Sequence, residues 1–123
     1  MGKIQGKKYL LEGNSKDKVV LFISGISGKV FEYDMYNDFA KACVEFGVSI
    51  LRVSYWKDEK DIESMNLNEI FSLVEESIKF LENKGLSKII IVGKSFGGGI
   101  ALNFDYPRVL RAPAISLSIK GNI

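Results

Sequence analysis

The sequence predicts a three-layer α/β/α sandwich with a mainly parallel β-sheet. Apolar runs of strand length recur along the chain, and in the run at residues 18–24 five apolar residues are consecutive. Between the runs, the apolar residues change to helical spacing. Strands that are apolar at every position suit a sheet covered on both faces, and their alternation with helices predicts right-handed βαβ units. The 123 residues, 46% of them hydrophobic, are predicted to form a single domain, residues 1–123.

The strands are predicted from the apolar runs and from the turn residues beside them. Residues 7–11 form a short edge strand. Residues 18–24, 48–53 and 88–92 form strands buried within the sheet. Residues 112–119 form a last strand, after which the sequence has four more residues.

Three helices are predicted between these strands. The apolar residues at positions 36, 39, 40, 43 and 44 share one face of the first helix, which ends at Gly47. Asn66 caps the second helix, with Glu69 in the capping-box position, and Gly85 follows its end. The third helix follows a glycine-rich turn and stops at Pro107. The predicted buried face of the second helix consists of Leu67, Ile70, Phe71, Val74, Ile78 and Leu81.

Composition and charge exclude several classes of protein. The 17 basic and 15 acidic residues leave a net charge of +2, which is too small a bias to predict nucleic-acid binding. The single cysteine, Cys43, cannot form an internal disulfide and is predicted to be a small buried apolar residue. No apolar run approaches the length of a membrane span, and the N-terminal residues lack the apolar core of a signal peptide. We therefore expect a cytoplasmic protein that binds neither nucleic acids nor membranes.

The candidate ligand site of such a sheet lies at the carboxyl ends of its strands. Residues 25–31, 54–63 and 93–99 follow three predicted strands and are therefore the segments that would form it. Within the second segment, Tyr55 and Trp56 either line a pocket or cover the core.

One of these segments carries a catalytic motif. Gly93, Ser95 and Gly97 form the pattern G-x-S-x-G between a predicted strand and a predicted helix. A sharp turn there exposes the serine hydroxyl in a strained backbone conformation, and small residues two before and two after it let neighbouring backbone pass. Ser95 is therefore the predicted nucleophile, Gly93 and Gly97 shape the turn, and the amide of Phe96 points toward the reacting atom.

In these residues the chain resembles the α/β-hydrolase superfamily, in particular its small esterase-like and dienelactone-hydrolase-like members. LFISGISG at residues 21–28 is similar to the family's third strand and oxyanion loop, with Ser24 where many members have His. IIIVGKSFGGGIAL at residues 89–102 is similar to the fifth strand, the nucleophile turn and the following helix. The resemblance implies that the amides of Phe96 and Ile26 form the oxyanion hole, and it implies no cofactor or metal.

The sequence departs from the family after the nucleophile. The family orders its triad as serine, carboxylate, histidine, whereas this chain has no His and no Asp or Glu after Asp105. The resemblance ends with the family's sixth strand, to which residues 112–119 are similar. We therefore expect a partial α/β-hydrolase fold, the N-terminal portion of the full fold, that is incomplete or inactive alone and takes a small acyl or ester substrate if active. The alternative is a non-catalytic binding or interaction domain on the same scaffold.

Other interpretations of these residues are weaker. Lys94 could act as the base of a Ser–Lys pair, but its place beside Ser95 turns its side chain away, and we expect a solvated lysine. The charged residues 57–61 are predicted as a solvated loop without metal-ligand spacing. Residues 25–30 lack the first glycine and the hydroxyl of a phosphate loop. The glycines at 93, 97 and 99 also match a dehydrogenase pattern, so nicotinamide binding stays a weak alternative.

The predicted strand at residues 112–119 carries no charge, and the sequence contains no strand after it to cover its edge. An apolar open edge invites pairing with another chain. We therefore expect an oligomer, or a complementing chain, that contacts this edge.

Overall fold

A computed structural model describes residues 1–105 and the backbone of residues 108–111. Within them the elements follow in the order β1 (Gly2–Ile4), β2 (Lys7–Glu12), β3 (Lys18–Ile23), α1 (Asp34–Glu45), β4 (Ser49–Val53), α2 (Glu59–Glu63), α3 (Leu67–Asn83), β5 (Lys88–Lys94), α4 (Phe96–Ala101) and β6 (Arg108–Arg111). The strands form one sheet in the order β1-β2-β4-β3-β5-β6. The three predicted inner strands are present. The third predicted helix, α4, is shorter than expected, because it ends at Ala101 with Leu102 as its C-cap rather than at Pro107. Residues 108–111, which the sequence did not predict as a strand, form β6, and the predicted strand at residues 112–119 lies outside the described residues.

The sheet is mixed, so the prediction of a mainly parallel sheet is wrong. β3 is parallel to β4 and β5, and β5 is parallel to β6, but β2 is antiparallel to both β1 and β4. An N-terminal hairpin causes the difference. Its turn residues Gln5 and Gly6 have φ of 49° and 80°, the left-handed backbone that a two-residue hairpin turn requires. Because β1 pairs with its outer side, β2 is not the edge strand that its sequence predicts.

Helices cover both faces of the sheet, as predicted. Val19, Leu21 and Ile23 of β3 belong to the larger core, which also contains apolar residues of α3 and α4. Val20 and Phe22 belong to a second core on the opposite face, with α1. Alternate residues of β3 thus enter different cores, which is the physical reason for its uninterrupted apolar run.

The face of β5 on the α1 side is less covered than its sequence predicts. Ile90 is 39% exposed. α1 connects β3 to β4 and contacts β4, so it lies to one side of β5, and no other helix of the described residues joins the α1 core. An apolar groove of about 460 Å³ remains between α1 and β5. We call it the α1 groove; its lining includes Phe22, Met35, Phe39, Phe46, Ile90 and Val92.

Of three local predictions for residues 57–69, the capping box of α3 is confirmed, whereas the burial of Leu67 and the loop at residues 57–61 are wrong. The capping box is present, because Asn66 Oδ1 accepts from the Glu69 amide at 2.8 Å and Asn66 Nδ2 donates to Glu69 Oε1 at 3.0 Å. Leu67 is 43% exposed rather than buried, because it is the first residue of the helix and lies away from the core. The predicted loop at residues 57–61 contains the start of α2, which the side chain of Asp58 caps by accepting from the Asp61 amide at 2.9 Å.

None of the described helices combines the length and the apolar character that a membrane crossing requires. Cys43 is buried in the α1 core, as predicted. Burial raises the pKa of its thiol above the usual value, so the reactive thiolate form is disfavoured.

Candidate active site

Ser95 lies in the turn between β5 and α4 with φ of 53° and ψ of −117°. A positive φ in a residue other than glycine costs on the order of 1–3 kcal/mol and persists only where the surrounding structure holds it. The predicted strained strand-to-helix turn is therefore confirmed. The Ser95 side chain is half-buried at the edge of the sheet where the parallel strands end.

Gly93 and Gly97 are required by the close approach of backbone on both sides of Ser95. A Cβ at Gly97 would lie 2.5 Å from the Ser24 carbonyl oxygen, and it would also collide with the carbonyl of Ile23. A Cβ at Gly93 would lie 2.6 Å from the Cα of Gly98. The start of α4 therefore rests directly on the end of β3, which is a packing role that needs no ligand.

The loop after β3 lies beside Ser95. A Cβ built at Gly25 would be 3.7 Å from the Cβ of Ser95. The Gly25 amide donates to the Tyr36 hydroxyl at 3.2 Å, and its carbonyl accepts from Trp56 Nε1 at 2.9 Å and from the Gly28 amide at 3.0 Å. Gly25 is thus held in place through both of its backbone polar groups.

The segment after β4, which contains Tyr55 and Trp56, also contacts the loop after β3 that carries Gly25. Tyr55 and Trp56 are 2% and 1% exposed, so they cover the core rather than line an open pocket. The Trp56 ring also packs edge-on against Phe96, with 5.5 Å between ring centroids. A Cβ at Gly28 would lie 2.6 Å from the Trp56 carbonyl oxygen, so only glycine fits where the two segments meet. The sequence alone does not decide the role of Trp56, and its one signal is an aromatic residue just past a strand end.

The two amides predicted to form the oxyanion hole come from the two segments that meet at Ser95. Ile26 follows Gly25 directly, and Phe96 follows Ser95 directly. Among the described residues, neither amide donates a hydrogen bond to a protein group. The structure thus brings the predicted nucleophile and the Ile26 segment together and leaves both predicted donors available.

No base for Ser95 is found among the described residues. No side chain there forms a hydrogen bond to its hydroxyl, and the sequence contains no His. Lys94 is half-buried at the end of the α1 groove, where it lies with Val92 rather than with Ser95. No group of three or more potential metal ligands occurs in residues 1–105. Asp58 and Asp61, in the acidic segment, accept hydrogen bonds from backbone amides.

Comparison with solved structures identifies the fold. The chain is similar to a dienelactone hydrolase from Anabaena variabilis, with 18% identity and a TM-score of 0.75 over 91% of this chain and 60% of that one. It is also similar to a monoacylglycerol lipase from Paleococcus ferrophilus, with 15% identity and a TM-score of 0.71 over 88% of this chain and 43% of that one. A cold-adapted esterase from an Arctic intertidal metagenomic library has 18% identity and a TM-score of 0.63 over 80% of this chain and 50% of that one. No protein-family model and no curated protein matches the sequence.

These similar structures belong to the α/β-hydrolase superfamily. The resemblance predicted from the motifs is therefore confirmed at the level of the fold, and the mixed sheet described above is a partial α/β-hydrolase fold. The chain spans 43 to 60% of the length of the three structures. What it shares with them is a hydrolase-like scaffold.

Proposed function

We propose that this chain is a serine-hydrolase-type domain that acts on ester or related acyl bonds of a small molecule once a base is supplied. Ser95 is the nucleophile, and the amides of Ile26 and Phe96 form the oxyanion hole. The observation that most supports the proposal is the strained backbone of Ser95, with φ of 53°, beside the loop of Gly25. Strain of this kind is common at active sites because it fixes a reacting group in advance.

The proposed reaction is acyl transfer through the serine. As the Ser95 oxygen forms a bond to the carbonyl carbon, the carbonyl oxygen becomes negatively charged and accepts hydrogen bonds from the Ile26 and Phe96 amides. The serine proton passes to the base, which returns it to the leaving alcohol. Water then attacks the acyl-serine and releases the acid. No cofactor takes part.

The base is the missing component. The sequence contains no His and no carboxylate after Asp105, so an imidazole and its orienting acid would come from polypeptide outside these 123 residues. Loss of a triad member lowers kcat by a factor on the order of 10⁶ in the best-studied case. The chain alone is therefore expected to show at most feeble hydrolysis.

A second candidate is a non-catalytic binding domain on the same scaffold, and the absence of His favours it. It differs in one respect that can be measured: Ser95 would not accept an acyl group under any condition. Nicotinamide binding is a weaker candidate, because contacts with backbone account for Gly93 and Gly97 without a cofactor.

Added imidazole distinguishes the two candidates. The chain is incubated with a p-nitrophenyl ester with and without imidazole, and acylation is located by mass spectrometry. We expect an imidazole-dependent acyl adduct on Ser95 that is lost in Ser95→Ala and kept in the control Ser72→Ala, which alters an exposed serine of α3. No adduct at Ser95 would refute the hydrolase proposal. Rapid turnover without imidazole would instead refute the proposal that the chain lacks a base, and Lys94 would be the first candidate for that base.

The partner proposal is that the chain self-associates, in the cytoplasm, through apolar surface that it leaves uncovered. The predicted edge at residues 112–119 lies outside the described residues. The α1 groove supplies support from the described part, because Met35 and Phe46 on its rim are 52% and 87% exposed. Exposed apolar patches of this kind mark association sites.

Light scattering over a concentration series tests this partner proposal. We expect the apparent mass to rise with concentration, and we expect the rise to weaken in Phe46→Ser/Ile90→Ser because both side chains line the α1 groove. Leu67→Ser is the matched control, since Leu67 is also exposed but does not line that groove. A monomer at every concentration would contradict the proposal.

A further inference from the structure

A cleft lined by four lysines lies at the same edge of the sheet as Ser95. Lys3, Lys7 and Lys8 come from the β1–β2 hairpin, and Lys57 comes from the segment after β4. The cleft has a volume of about 610 Å³. We call it the lysine cleft. Residues separated by about fifty positions in the chain meet here, so the cluster is not visible as a run of basic residues in the sequence.

The lysine cleft has an excess of positive charge. Two carboxylates, Glu32 and Asp61, also line it. Asp61 Oδ2 accepts a hydrogen bond from the backbone amide of Lys57 at 2.8 Å. The ion pairs of the described residues join Arg52 to Glu12, Lys79 to Glu76 and Lys88 to Asp17, so none of them includes a lysine of the cleft. Lys7 and Lys8 are consecutive residues of β2, so their side chains point to opposite faces of the sheet, and Lys7 also lines a pocket beside α3. The other three lysines outnumber the two carboxylates, and this favours an anionic ligand.

The position of the cleft relates it to Ser95. Phe31 and Glu32, in its lining, belong to the loop after β3 that also carries Gly25 and Ile26. Ser54 and Lys57 follow β4, which is the neighbour of β3 on the side away from β5. Neighbouring strands lie about 4.8 Å apart, so the end of β4 is about 10 Å from the end of β5. A small extended molecule can therefore reach from Ser95 to the Lys57 side of the cleft, whereas β2 and β1 lie about 5 and 10 Å further away.

We propose that the lysine cleft binds a carboxylate or phosphate group of the acyl substrate, so that the substrates are esters with an anion about 10 Å from the reacting carbonyl. The proposal rests on the proposed function and adds a substrate class to it. Lysine ammonium groups bind both anions as point charges. Binding of the anion beside Lys57 places the other end of the molecule over the Gly25 loop, where Ser95 and the predicted oxyanion-hole amides of Ile26 and Phe96 lie.

Binding measurements on the whole chain in the Ser95→Ala background test the proposal without any reaction. Three probes are titrated by NMR: the monomethyl ester of an eight-carbon dicarboxylic acid, its counterpart with a phosphate instead of the carboxylate, and the neutral dimethyl ester. The cleft variant is Lys8→Gln/Lys57→Gln. The matched control, Lys16→Gln/Lys84→Gln, removes the same charge from residues that do not line the cleft.

We expect the charged probes to bind about tenfold more tightly than the neutral ester and to shift the amide signals of both Lys57 and Ile26. The cleft variant should weaken the charged probes about fivefold, because it removes two of the lysines that would contact the anion. The control should change them less than about twofold, because exposed charges that do not contact the ligand contribute little. Equal affinity for charged and neutral probes, or equal losses in the two variants, would overturn the proposal. Charge-dependent binding without imidazole-dependent acylation would overturn the hydrolase function alone, and acylation at equal rates for charged and neutral esters would overturn this inference alone.

Discussion

Gly97→Val is expected to destabilise the chain by more than about 4 kcal/mol, which is enough to unfold many domains of this size. A Cβ at this position would lie 2.5 Å from the Ser24 carbonyl oxygen and would also overlap the Ile23 carbonyl. Both are backbone atoms at the end of β3, where Ile23 is in register with Gly93 of β5. Neither strand can move without loss of sheet pairing, so the valine side chain would overlap backbone atoms that cannot shift to make room for it.

Urea unfolding followed by circular dichroism and by the fluorescence of Trp56 measures the effect. Gly97→Ala and Gly25→Ala form the matched pair, because the same methyl group at Gly25 would meet only ordinary contacts of 3.6 to 3.7 Å. We expect Gly97→Ala to be strongly destabilised and Gly25→Ala to stay close to the parent. Similar midpoints for the two alanine variants would show that the contact between α4 and the end of β3 is wrong.

Arg52→Met is expected to cost about 3 kcal/mol, because it removes three hydrogen bonds of a buried guanidinium and leaves the buried Val30 carbonyl without this donor. The Arg52 side chain is 4% exposed and forms an ion pair with Glu12 Oε1 at 2.6 Å. Its guanidinium also donates to Asn37 Oδ1 at 2.6 Å and to the Val30 carbonyl at 3.1 Å. Methionine keeps much of the length of the side chain but donates to none of these groups. The change therefore leaves Val30, at the end of the loop beside Ser95, without this donor.

Lys88→Met is the control for Arg52→Met, because Lys88 pairs with Asp17 at 3.2 Å on the surface. That lysine lowers the pKa of Asp17 through its hydrogen bond, but exposed pairs contribute little to folding. We expect a clear loss of stability for Arg52→Met, almost none for Lys88→Met, and partial recovery in Arg52→Met/Glu12→Leu. A stability of Arg52→Met within about 0.5 kcal/mol of the parent would mean that the network contributes nothing.

Features that depend on neighbouring residues were predictable from the sequence. The apolar run of β3 predicts a strand with two buried faces because alternate side chains of a strand point to opposite sides. The capping box of α3 joins residues three positions apart. The strained turn at Ser95 follows from glycines two residues before and after it, and its φ of 53° agrees with that prediction.

Features that depend on what lies next to an element were not predictable in the same way. The run at β5 resembles that of β3, yet Ile90 is 39% exposed because α1 lies to one side of it. β2 has the sequence of an edge strand, but its place within the sheet depends on pairing with β1 through the turn at Gln5 and Gly6. α2 forms in a segment of charged residues because the side chain of Asp58 caps it.

The sequence by itself therefore determined the alternation of strands and helices and the absence of an imidazole base. It also determined the strained turn at Ser95, through the spacing of Gly93 and Gly97. The tertiary structure alone decided which distant residues support that site. Trp56 reaches Gly25 across 31 positions, and Arg52 reaches Glu12 across 40. The four lysines of the cleft likewise meet only when the hairpin pairs with β4. Local patterns reflect backbone geometry over a few residues, whereas these contacts depend on strand order, which no short stretch of sequence encodes.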